Sequence, residues 1–201
     1  MAVLFKDITR KSPRETLDQA ALLLVEGFRD MAPQFCPDLE EARKELEGCL
    51  AEERICRGAF DDKGLLLGWV GGIPQYYGTS WELHPLVVRR DAWRKGLGSL
   101  LVKDFEEQAA RRGGQLAYVG TDDEMGKTSL SGVDLFHNTW EHIQNIRNFR
   151  DHPYEFYQKQ GYVIVGVLPD ANGPGKPDIY MAKRLKPVPK VDREEVDGHA
   201  G

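Results

Sequence analysis

Val87-Val88-Arg89-Arg90-Asp91-Ala92-Trp93-Arg94-Lys95-Gly96-Leu97-Gly98-Ser99-Leu100-Leu101 is the stretch that organises this chain. An apolar run at the end of a strand passes into a basic loop, then two glycines, then a helix predicted from Gly96 to Arg112. Its inward face is Leu97, Leu100, Leu101, Phe105 and Ala109, which recur at helical spacing. Successive backbone N–H groups in such a loop, with the helix N-terminus, form an anion site. Gly96 and Gly98 would let a phosphate approach closely, and Arg94 and Lys95 add charge. The same residues also read as a glycine-containing turn whose basic side chains are merely solvated.

Working outward, Trp81–Val88 reads as the strand that feeds this loop. Before it, Ile55–Phe60 and Leu65–Gly71 are strands joined by Asp61-Asp62-Lys63-Gly64, which has hairpin-turn chemistry. Two helices come first. Ser12-Pro13-Arg14-Glu15 reads as a capping box ahead of Leu17, Ala21, Leu24, Phe28 and Met31. Asp38 with Glu41 starts the second, which should carry Leu39, Ala42, Leu46 and Leu50 inward. Downstream, Gly113-Gly114 ends the central helix, Gln115–Gly120 is a strand, and a polar loop runs from Gly120 to Gly132. A helical stretch holds Leu135, Trp140, Ile143 and Ile146, and Pro153 starts a short helix to about Gln160. Tyr162–Leu168 and Asp178–Lys183 are β-rich runs around Gly173-Pro174-Gly175. Antiparallel hairpins first and strand–helix–strand later predict an α+β domain with a mixed sheet. That domain is expected over residues 1–185, with residues 186–201 as a fraying tail.

Composition narrows the function classes. Across 201 residues, 41% are hydrophobic and 29% charged, which excludes a largely disordered chain, a collagen-like fibre and a coiled coil. No apolar run reaches the ~18 residues of a membrane span; the longest, such as Ala20–Val25, belong to amphipathic patterns. Met1–Arg10 lacks the apolar core of a secretory signal. The three cysteines (Cys36, Cys49, Cys56) form no CxxC pair, which suits a reducing cytoplasm. A formal charge of −5 argues against a nucleic-acid binder and for a cationic small-molecule partner. His137 and His142 lack ligand spacing, so no metal site is expected. No serine or cysteine sits in a nucleophile-elbow setting.

Gly120-Thr121-Asp122-Asp123-Glu124-Met125-Gly126-Lys127-Thr128 imitates a nucleotide P-loop after a strand. It has one residue too many between its glycines, and the carboxylates would repel a polyphosphate. Asp122, Asp123 and Glu124 could instead bind ammonium groups, or form a solvated acidic loop.

The strand, basic glycine loop and helix resemble the acetyl-coenzyme A pyrophosphate site of the GCN5-related N-acetyltransferases. Gly96 and Gly98 match that pattern, whereas Trp93 stands where Gln or Arg is usual. Four further blocks are similar to the aminoglycoside 6'-N-acetyltransferases of the chromosomally encoded, dimeric branch. They are Ile73-Pro74-Gln75-Tyr76, Trp81 to Val88, His152-Pro153-Tyr154-Glu155-Phe156-Tyr157, and Val165–Pro169 followed by Lys176–Lys183. The resemblance runs from about Phe5 to Lys183 and implies acetyl-coenzyme A as co-substrate, a cationic aminoglycoside as acceptor and a homodimer.

Acetyl transfer to an amine needs a neutral amine, a stabilised oxyanion and a proton for the departing thiolate. Glu82 and His84, two apart in a strand, point to the same face, where they could serve catalysis or structure. The resemblance implies Glu82 as base through water, His84 in support, the Leu86 N–H as oxyanion contact, and Tyr157 as the acid. It places the cofactor on Leu86, Val87, Val88, Arg94, Lys95, Gly96, Leu97, Gly98, Ser99, Thr121, Tyr157 and Lys159. The acceptor falls to Gln75, Tyr76, Trp81, Glu82, Asp122, Asp123 and Asp178. Acetylation of a polyamine or protein amine stays open as the alternative, because an acidic cleft suits any polycation.

Overall fold

A computed structural model describes residues 3–186, and the expected tail beyond them lies outside that range. Its one sheet is mixed, as expected, with seven strands: β1 (Leu4–Asp7), β2 (Ile55–Phe60), β3 (Leu66–Gln75), β4 (Ser80–Val88), β5 (Leu116–Asp122), β6 (Val163–Leu168) and β7 (Asp178–Arg184). They lie in the order β1-β2-β3-β4-β5-β7-β6, and the parallel pair is β4 with β5. Helices α1 (Arg14–Phe28) and α2 (Leu39–Cys49) cover one face over β3 and β4. Helix α3 (Leu97–Arg111) covers the other, and two short helices, α4 (Thr139–Gln144) and α5 (Tyr154–Lys159), follow β5.

Local chemistry sets most of these boundaries. The Asp38 carboxylate accepts the N–H groups of Glu40 and Glu41 at 2.8 and 3.0 Å and starts α2. In the β2–β3 turn, Asp61 accepts from Lys63 and Leu65 at 2.9 and 2.8 Å, while Gly64 takes a φ of +87° that other residues resist. The capping box before α1 does not form. Ser12 Oγ is spent on the Thr9 N–H at 3.0 Å, and no side chain caps the helix. Leu39 and Leu100, expected inward, are exposed: Leu39 is the first residue of its helix, and Leu100 lies off the buried stripe of Leu97, Leu101, Phe105 and Ala109. Strand β1 carries no sequence pattern that predicts it; three of its four residues are exposed, and it pairs with β2 from Leu4↔Phe60 to Asp7↔Arg57.

Two cores result. Between the sheet and α3 lie Val70, Leu83, Leu101, Phe105, Ile179 and Met181. Between the sheet and α1–α2 lie Leu24, Leu46, Trp69 and Val87, with the Trp69 indole donating to Ala20 O at 3.1 Å. Among the described residues no helix is long and apolar enough to cross a membrane. All three cysteines are free and buried.

Candidate active site

The sheet is divided where β4 meets β5. Their pairing is confined to Ser80–Glu82 against Leu116–Tyr118, after which the strands part. On the other side of β4, the register with β3 slips: Gly72 opposes Leu83, but Val70 opposes Leu86. Three steps of β4 therefore match two of β3, a bulge that bends the strand and changes which side chains face which core. Leu83 and Leu86, three apart, both pack toward α3, whereas Val87 packs toward α1 and α2. The bulge requires a glycine beside it, because a Cβ on Gly71 would stand 2.2 Å from the His84 carbonyl oxygen.

Hydrogen-bond phase then decides what faces the gap. Arg89 N donates to Leu67 O at 2.8 Å. In an antiparallel ladder bonded and non-bonded pairs alternate, so Val87, opposite Trp69, bonds to β3. Leu86 and Val88 turn their N–H and C=O groups the other way, toward the departing β5. The Val88 carbonyl accepts the Trp93 indole N–H at 2.6 Å, leaving the Leu86 amide and the Val88 N–H presented to the opening. Around this gap lies a cleft of about 500 Å³, with Leu83–Val88 on one wall and Val119–Asp122 on the other.

On the α3 side the cleft ends at the glycine loop. Gly96 stands at φ +84° just ahead of the helix, no side chain caps α3, and its first i→i−4 bond is Leu100 N to Gly96 O at 3.1 Å. The N–H groups of Leu97, Gly98 and Ser99 are thus open to an anion. Leu97 contributes main chain only, since its side chain is in the core. Arg94 lines the cleft and pairs with Asp151 at 3.3 Å with both side chains exposed, so that pair is readily exchanged for another anion. Lys95 is outside the lining, its Nζ donating to Asp91 O at 2.7 Å. Tyr157 and Phe156 of α5 reach the cleft, and burial pushes the Tyr157 phenol above its ordinary range. The Thr121 hydroxyl donates to Ile179 O at 3.0 Å, leaving that residue its main chain to offer. Lys159 is exposed and outside the lining.

The opposite face is acidic. Glu82 is in register with Tyr118, Gly120 with Tyr180, and Asp122 with Asp178, so all six lie on the face away from α3. Glu82 Oε2 accepts from Tyr118 Oη at 3.1 Å and Gln75 Nε2 at 3.4 Å. Asp122 Oδ1 accepts from Asn172 Nδ2 at 2.6 Å. Asp178 lies against Gly120 with one buried oxygen unpartnered; desolvation, then the charge of Asp122, pushes its carboxyl up to about 6. Tyr76, exposed and at φ +49°, follows Gln75 at the end of β3. His84 shares the Glu82 face, lines the cleft, and meets Glu45 of α2 through Nε2 at 3.3 Å. Glu82 itself lies outside the lining, one step deeper in the strand pair.

Two expected acceptor residues are turned away. Trp81 alternates onto the α3 face, 3% exposed, and its indole donates to Gly78 O at 3.1 Å. Asp123 is fully buried: its carboxylate accepts Lys127 N at 2.6 Å and Thr128 N and Oγ1 at 2.9 and 2.7 Å. This explains the false P-loop, whose acidic residue ties the loop to itself. Asp123→Ala is expected to cost about 2–4 kcal/mol by leaving buried donors unpaired, with a lower Tm and unchanged acceptor recognition per folded molecule. Thermal melts beside KM values check it.

Sequence reasoning missed the wall formed by Phe28, Met31, Ala32 and Phe35, which leads from α1 toward α2 and closes the cleft over His84. These residues carry no chemical signature, and their helical spacing signals only core.

A profile of the acetyltransferase (GNAT) family matches residues 22–130. A crystal structure of an aminoglycoside 6'-N-acetyltransferase complexed with coenzyme A is 42% identical with a TM-score of 0.85, covering 92% of this chain and 99% of that one. The aminoglycoside 6'-N-acetyltransferase from Enterococcus faecium gives 42% and 0.83 over the same shares. An aminoglycoside 6'-acetyltransferase type Ii gives 37% and 0.71, again over 92% and 99%. A comparison with curated proteins gave no match.

Proposed function

Because this chain belongs to the acetyltransferase (GNAT) family, we propose that it transfers acetyl from acetyl-coenzyme A to the 6'-amine of aminoglycosides. The observation that carries the reading is the parted β4–β5 pair, with a main-chain edge and an anion-binding helix start toward α3 and a carboxylate face on the other side. The amide-bearing arm of the donor would pair with Leu86 and Val88, and its pyrophosphate would sit on the N–H groups of Leu97, Gly98 and Ser99, with Arg94 beside them. Glu82, Asp122 and Asp178 would hold the ammonium groups of the acceptor, with Gln75 and Tyr76 at their edge.

The reaction converts a protonated amine and a thioester into an amide and a thiol, releasing one proton. The ammonium first loses a proton to the Glu82–His84 side of the gap, directly or through water. The neutral nitrogen attacks the thioester carbon, and the Leu86 N–H stabilises the oxyanion. As the C–S bond breaks, Tyr157 gives its proton to the sulfur, and the nitrogen's second proton returns through water to the phenolate, so one proton is released overall. We infer from the sequence resemblance that the enzyme works in the cytoplasm as a homodimer and confers resistance. Acetylation removes a charge the drug needs to hold RNA.

The test is thiol release from acetyl-coenzyme A with kanamycin-class acceptors bearing either a 6'-amine or a 6'-hydroxyl. Release with the amine alone is expected. Release with both moves the acetylated position, and release only with spermidine or a peptide amine overturns the aminoglycoside reading. The Asp178 carboxyl adds a pH signature. A cation binds its ionised form, so acceptor KM should fall of order tenfold as pH rises from about 5 to 7. Asp178→Asn should flatten that limb. Without substrate the sign reverses: the folded protein holds a proton that the unfolded chain releases, so Asp178 costs stability as pH rises through about 6 and Asp178→Asn should melt higher at pH 7.

A further inference from the structure

We infer that Glu45 is a positioning residue for the transfer, orienting His84 as the group that takes the acceptor's proton. The inference deepens the proposed acetyl transfer and rests on it. Glu82, the base the resemblance implies, lies outside the cleft lining with its Oε2 held by Tyr118 and Gln75. His84 lines the cleft and is held on two sides: Glu45 Oε1 stands 3.3 Å from Nε2, and the Phe35 ring meets the imidazole edge-on at 5.2 Å between centroids. A carboxylate beside Nε2 favours the tautomer that keeps its proton on Nε2, which leaves the lone pair of the neutral ring on Nδ1. Nδ1 has no protein hydrogen bond among the described residues, so it can take a proton.

Glu45 is suited to that task because α2 fixes it. It lies in the helix between Ala42 and Leu46, both buried against α1 and the sheet, and its Oε1 also accepts from Cys49 Sγ at 3.6 Å. The imidazole beside it holds the Glu45 carboxyl below its usual range, so it is ionised at neutral pH. Several other groups face the pair. They are Arg54, just beyond α2, the Cys36 thiol on the link from α1, and Glu82 on the same face of β4. Cys36 and Cys49 are both pushed up to about 12 by burial and stay neutral, and β3 presents only glycine opposite, at Gly71 and Gly72. The proton taken at Nδ1 passes to water as product leaves, so the imidazole returns to the same tautomer.

The experiment compares wild type, Glu45→Gln, His84→Ala and the double variant across pH, with the His84 ring nitrogens followed by NMR. Glu45→Gln is expected to lower kcat at least tenfold with KM for acetyl-coenzyme A unchanged, to shift the acid limb of the kcat profile, and to add nothing once His84 is removed. Glu45→Asp should recover part of the loss. A Glu45→Gln enzyme that melts lower but keeps wild-type kcat and acid limb overturns the inference. Should the wild type release no thiol with any aminoglycoside, the functional reading falls while the pairing is still read by NMR. An Nε2–H tautomer that is lost in Glu45→Gln supports the pairing, and an Nδ1–H tautomer in the wild type overturns it.

Discussion

Replacing Tyr157 with phenylalanine is expected to lower kcat by about 100-fold or more, the loss that follows removal of a positioned acid. The ring packs between Phe156 and Tyr162 with edge contacts at 5.0 and 5.6 Å, and phenylalanine keeps both. Stability and donor affinity should therefore hardly move. Burial keeps the phenol protonated over the whole working pH range, which a proton donor requires. Single-turnover measurement of amide formation checks it, because a change confined to product release would leave that step at its wild-type rate. An unchanged step would remove Tyr157 from the role and leave water to protonate the thiolate.

The second large effect is expected at Gly71. Alanine there puts a carbon 2.2 Å from the His84 carbonyl, so either β3 shifts or the bulge in β4 is ironed out. Overpacking of this kind costs about 1–3 kcal/mol, and the functional loss should be greater than the loss of stability. Straightening β4 would turn Leu86 back toward β3, abolishing donor binding in a protein that still folds. Gly58→Ala is the control. The nearest atoms to its Cβ are side chains, of Phe60, Leu66 and Ile8, at 2.7–3.0 Å on a strand outside the cleft lining. It should lower Tm comparably and spare acetyl-coenzyme A affinity; equal affinity losses in both would remove the bulge from the argument.

What could be read from the chain follows from how local each signal is. The Asp38 cap, the Asp61–Gly64 turn and the glycine loop before α3 are settled by neighbours a few residues apart, and the sequence showed all three. Strand β1 exists because β2 offers it an edge, which no local pattern announces. Ser12 had the right identity for a cap and was captured by Thr9 instead. The acidic face was legible as composition but not residue by residue: Asp122 ends β5 facing outward, while adjacent Asp123, just past the strand, is buried and bound to its own loop. Trp81 beside Glu82 divides the same way. The bulge and the Glu45–His84 contact join segments apart in sequence and left no local pattern, while the Phe28–Phe35 wall was legible only as helical spacing and not as part of a cleft.

The parted strands also separate two kinds of heredity. On the proposed reading, the donor would be offered amide groups of the backbone at Leu86, Val88 and the start of α3, which almost any side chain leaves intact. The acceptor would meet Glu82, Asp122, Asp178 and Tyr76, side chains that are each open to replacement. Mutation can therefore redraw which amine is accepted while the acetyl source stays fixed, and drift within such a lineage should gather on one bank of the cleft.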